Sequence, residues 1–186
     1  MRRIAILAGL LVLIGLAGAC GTSASPPSVG VEPGTQYQLV QGAVQIFSLH
    51  PTGDPTCVIA LKSVKNGRVK KLGATLERTL TSAGSIAVVS DARGVEVSCL
   101  LPPVGGAFGA ALAKDSVESG TTWGTAIVEP ETQSGEQVVW NQSRFSDHGT
   151  HSDTMDTGAL DDLVSMSVQY PTRTSYVVTV TVDGGR

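Results

Sequence analysis

The chain predicts an all-β protein: a disulfide-stapled β-sandwich, or two small β-subdomains. Three observations carry that class. Lys65-Asn66-Gly67-Arg68 separates two strand-like runs, and Asn-Gly is a strong hairpin signal because both central turn positions take positive φ. Val177-Val178-Thr179-Val180-Thr181-Val182 is β-branched throughout and alternates from Val178 onward, as a strand with one buried face does. Finally, about ten short apolar runs are punctuated by Gly, Pro, Asp and Ser clusters, the spacing of a sandwich.

In chain order, Tyr37–Leu49 alternates weakly through Val40, Val44, Ile46 and Leu49. Cys57–Leu61 is a compact apolar strand, which the Asn66-Gly67 turn returns into Val69–Leu76. Ser85–Val89 and Val95–Leu101 follow, separated by the turn-forming Asp91-Ala92-Arg93-Gly94. Pro102-Pro103-Val104-Gly105-Gly106 breaks the pattern and divides residues 36–103 from 104–186, two subdomains or two halves of one sandwich. Phe108–Ala113 is apolar and alanine-rich and fits a short helix or a strand. Trp123–Val128, Gln137–Phe145, Leu163–Tyr170 and Tyr176–Val182 read as strands, with one helical turn expected over residues 158–164.

The amino-terminal segment sets location. Met1-Arg2-Arg3 is followed by an uncharged run, Ile4–Ala19, and Ala17-Gly18-Ala19 stands directly before Cys20. That run is shorter than the roughly 20 residues a membrane-spanning helix needs. Two cations, an apolar stretch and a small-residue cleavage site describe an export signal. With the cysteine directly after the site, the segment resembles a bacterial lipoprotein signal peptide. The resemblance implies removal of residues 1–19, diacylation of Cys20, and anchorage on the outer face of the bacterial cell membrane. An ordinary secretory signal is the rival reading, since Ala17-Gly18-Ala19 also suits the usual peptidase. Residues 20–35 are rich in small polar residues, Pro and Gly, and are expected to be a flexible tether.

With Cys20 assigned to lipid, Cys57 and Cys99 remain, and an oxidising compartment favours pairing them. Closing that loop is worth about 4 kcal/mol in the chain-entropy model. Charge excludes general nucleic-acid binding: without Arg2 and Arg3, 11 basic residues stand against 16 acidic. The charge is uneven, with seven basic and five acidic residues in 20–103 but four and eleven in 104–186.

The reactive side chains concentrate in Asp147-His148-Gly149-Thr150-His151-Ser152-Asp153. His148-Gly149-Thr150-His151 resembles the histidine motif of subtilisin-like serine proteases, which would make His148 a general base. Its partner motifs are missing, including any Gly-Thr-Ser among the 35 residues after His151. The same loop offers His148, His151 and Asp153, with Asp147 and Asp156, as weak candidate ligands for zinc or copper. A long polar connection between strands, rich in turn formers, is the favoured reading of the same stretch. No catalytic set is complete and no cofactor motif is present. The sequence therefore favours an envelope-anchored binding or interaction module with a polymer or protein partner. A metal-binding or hydrolytic protein using residues 147–156 is the alternative. Lys62, Lys65, Arg68, Lys70 and Lys71 around the hairpin suit an anionic surface, or protect an exposed edge strand from pairing. Trp123, Trp140, Phe145 and Tyr170 suit a groove or a core, and Asn141-Gln142-Ser143 matches a glycosylation acceptor.

Overall fold

The computed structural model describes residues 26–39, 42–91, 93–102, 104–111, 135–145 and 159–183. These residues form β1 (Ser28–Leu39), β2 (Gly42–Thr52), β3 (Thr56–Lys65), β4 (Arg68–Thr79), β5 (Gly84–Asp91) and β6 (Gly94–Leu101). β7 (Val104–Ala111), β8 (Gly135–Phe145), α1 (Leu160–Gln169) and β9 (Arg173–Asp183) complete the set. The strands make two antiparallel sheets, ordered β1-β2-β5-β6-β7 and β4-β3-β9-β8.

The two-residue period decides how the sheets meet. In the first sheet, Phe47, Leu49, Ile86, Val88, Val95, Val97, Cys99 and Leu101 share one face. They form a single apolar cluster with Cys57, Ile59, Leu61, Tyr176, Val178, Val180 and Val182 of the second. The fold is thus an all-β sandwich. Each fully buried aliphatic or aromatic side chain in it contributes about 1.5–3 kcal/mol relative to exposure. The opposite face of the second sheet carries α1, whose Leu163 buries with Val64, Val138 and Val177.

Strand direction gives the sandwich two distinct ends. The β1–β2, β3–β4 and β5–β6 connections all lie at one, here called the distal end. The two sheets are tied there by a bond from Arg144 Nη2 to the Asp91 carbonyl oxygen at 2.5 Å. The first residue of β1 pairs with Thr52, and Asp183 of β9 pairs with Thr56, so both lie at the opposite, proximal end.

Several expectations are corrected. Leu163–Tyr170 lies within and just past a helix, not in a strand. Val164, Met166, Val168 and Tyr170 alternate, but Leu160, Leu163, Val164 and Ser167 fall at helical spacing, and that is the face that packs. Asp161 and Asp162 in the first turn complement the helix dipole. Tyr37–Leu49 spans parts of two strands instead of one. β1 begins at Ser28, inside the stretch expected to be tether, because Val29 and Val31 alternate into the core. Leu101 of β6 pairs with Val104 of β7, its neighbour in the same sheet, so that sheet continues across the expected boundary. Cys57 and Cys99 are free thiols, so a staple is not part of the observed fold.

Candidate interaction surface

The distal end owes its chemistry to the β3–β4 hairpin. Asn66 and Gly67 have φ of 50° and 70°, the left-handed pair the sequence predicts for a tight turn. The turn is fastened to the helix: Gly67 N–H donates to Ser167 Oγ at 2.8 Å, and Ser167 Oγ–H donates to the Val164 carbonyl at 2.8 Å. The hairpin tip and the last turn of α1 thus form one surface. It exposes Lys65, Arg68, Lys70 and Lys71 beside Val69, Val168 and Tyr170, whose exposures are 42%, 64% and 41%.

Those four cations have no ion-pair partner among the described residues. Lys62 does: its ammonium bonds the Glu136 carboxylate across β9. Partial burial would push the Glu136 carboxyl up, but Lys62 and the Thr181 hydroxyl outweigh it and hold the group below the usual carboxylate range.

A second feature lies between the sheets at the same end. Arg144 is almost fully buried, with its guanidinium carbon 5.9 Å from the Tyr176 ring centre. Burial pulls its proton affinity down, while Tyr176 and Asp91 pull it up. Asp91 Oδ1 accepts the Arg93 and Gly94 amides at 2.6 and 2.9 Å, which holds the Asp91 carboxyl low and closes the β5–β6 turn. Nearby on the inner face of β2, Gln45 Nε2 donates to the Gly34 carbonyl at 3.2 Å. That bond braces β1 where its register shifts between Pro33 and Gln36. On the helix side of β9, buried Arg173 Nε donates to Ser143 Oγ and Ser175 Oγ at 2.8 and 3.1 Å. Asn141 and Gln142 project to opposite faces of β8, and both amides are buried without a hydrogen-bond partner among the described residues.

The sequence candidates divide sharply. Cys20, His148, His151 and Asp153 lie outside the described residues, as do Asp147, Asp156 and Trp123. Among the described residues no group of three or more His, Cys, Asp or Glu side chains is placed to hold a metal. Trp140 is core and Tyr170 is exposed. Asn141 is fully buried, so its match to a glycosylation acceptor has no accessible nitrogen. Cys57 and Cys99 sit in the same apolar cluster on facing sheets. Burial raises their thiols to about 11 and about 12. Sequence reasoning missed the buried Arg144 and Arg173. For Arg144 the one available signal was charge within an otherwise strand-like run, which reads equally well as solvent-facing, and Arg173 stands before the run read as the last strand.

Comparison with known proteins gives no relative: no family model, no curated protein and no solved structure matches the chain.

Proposed function

We propose that this chain is an exported lipoprotein, held by Cys20 on the outer face of the bacterial cell membrane, and that its sandwich is a binding module of the cell envelope. The observation that carries the reading is the opposition of the two ends. β1 enters at the proximal end, eight residues after Cys20, while the exposed cations and apolar side chains of the hairpin and helix lie at the distal end. Eight residues reach at most about 28 Å. The 12 residues of β1 add about 40 Å more, so the distal surface is held away from the lipid and towards a partner. In an oxidising compartment Cys57 and Cys99 are proposed to bridge the two sheets. That closure would stiffen the module and make it resistant to unfolding between its anchor and its partner.

The test is membrane extraction with intact-mass analysis. The reading expects a mature chain beginning at a lipid-modified Cys20, and release of the Cys20→Ala variant from the membrane fraction. A chain retaining residues 1–19, or one that stays on the membrane with an unmodified sulfur, overturns it.

A further inference from the structure

We propose that the Arg68–Leu72 edge of β4 receives an extended acidic segment of a partner protein by strand addition. This deepens the binding-module reading and rests on it. Among the described residues β4 is hydrogen-bonded to β3 alone, so its outer edge offers unpaired backbone groups. The far side of the sandwich covers only part of that edge. Leu76 packs over Gly106 of β7, where a Cβ would sit 3.5 Å from Leu76 Cδ1. Two residues, Gly73 and Ala74, then bulge out of the ladder, with Gly73 at a φ of 67°. Beyond that bulge, Arg68, Val69, Lys70 and Lys71 are exposed. Such a half-strand offers about 16 Å of edge, enough for a five-residue segment.

Charge selects what can pair there. Lys65, Arg68, Lys70 and Lys71 stand within seven residues, and no carboxylate occurs between Thr56 and Leu76. A second copy of the chain is disfavoured, since antiparallel β4–β4 pairing would set these cations against one another. An acidic strand reverses the sign of every such contact. Main-chain bonds would supply affinity, and alternating carboxylates would supply selectivity. Val69, Val168 and Tyr170 add an apolar shoulder beside the cations, which suits the side chains of a peptide better than a bare polyanion.

The experiment uses the mature full-length chain and a fluorescein-labelled peptide of alternating Glu and Val, read by fluorescence anisotropy. Binding is expected to weaken about tenfold between about 50 and about 500 mM salt. A similar loss is expected in the Lys70→Glu/Lys71→Glu variant, whose circular dichroism and melting should match the parent. The same peptide N-methylated at alternate amides keeps its charge but cannot join a ladder, and should not bind. Failure of the parent chain to bind the unmodified peptide overturns the proposal, as does equal binding of the N-methylated one. Capture by vesicles containing phosphatidylglycerol that the peptide does not compete away would assign the edge to lipid instead and also overturn it. None of these readouts depends on the Cys20 anchor. An envelope partner crosslinked equally by parent and Lys70→Glu/Lys71→Glu chains would leave the binding module standing and remove only the β4 edge.

Discussion

Oxidation of Cys57 and Cys99 is the perturbation whose size follows most directly from the structure. The two thiols lie on β3 and β6, on the facing inner surfaces of the sandwich. A bond between them would close the chain over both intervening hairpin connections, a loop whose entropy is worth about 4 kcal/mol. At about 2–4 °C per kcal/mol for a chain of this size, the oxidised protein should melt about 8–16 °C above the reduced one. Kinetics sharpen the test. Raising the Cys57 thiol from 9.0 to about 11 lowers its thiolate about a hundredfold, and Cys99, pushed to about 12, is lowered further. Disulfide exchange proceeds through the thiolate, so closure should be slow in the folded reduced protein and fast in the unfolded chain. The assay is calorimetry with and without reductant, beside alkylation–mass spectrometry after oxidation of folded and urea-unfolded samples by oxidised glutathione. A Cys57→Ala/Cys99→Ala variant should melt identically with and without reductant. The reasoning fails if the exported protein carries two free thiols and its melting ignores reductant. It fails also if folded and unfolded chains oxidise at the same rate.

Other outcomes follow from single contacts. Glu136 holds its proton less tightly in the folded state than in the unfolded one, so its contribution is present above the unfolded carboxylate range. That contribution is lost as pH falls through the lower folded value. Urea melts between pH 7 and pH 3 should show an acid loss that Glu136→Gln reduces by about 1 kcal/mol or less, the pair being partly exposed. Ser167→Ala removes the acceptor for the Gly67 amide and should cost about 1 kcal/mol by denaturant titration, loosening hairpin and helix together. Gln142→Leu replaces a buried amide lacking a described partner by an apolar group of similar size, and the melt should be unchanged or raised. Leu61→Ala opens a cavity in the centre of the sandwich and should cost about 2–5 kcal/mol.

What the sequence made legible was local. The β3–β4 hairpin could be read because Asn66 and Gly67 perform in the structure the backbone task for which they are suited. β9 could be read because a β-branched run has few alternatives, and Val178, Val180 and Val182 do face one core. α1 was not legible as a helix beyond its first turn. Its residues satisfy both periods, and the choice was made by Val64, Val138 and Val177, distant in sequence, which cover Leu163. The opening of β1 was hidden by Pro and Gly, although Val29 and Val31 alternate within it. The candidate surface was half visible. Its cations were apparent, but the alliance of the hairpin tip with Val168 and Tyr170 depends on a contact across about a hundred residues of chain.

The same cations answer two physical demands that are usually opposed. An exposed edge must be kept from pairing with its own kind, and lysine does so by repulsion. A binding edge must attract, and here the repulsive groups are also the selective ones, because their sign decides which strand the edge will accept. Neutralising them one at a time should therefore change two properties together. Lys70→Ala and Lys71→Ala should weaken capture of an acidic peptide and, in the same samples, increase self-association at high protein concentration. A protection role alone predicts only the second effect, and a charge-binding role alone predicts only the first. Sedimentation velocity beside anisotropy on one set of variants separates the three cases. Both effects moving together is the result that a selective edge requires.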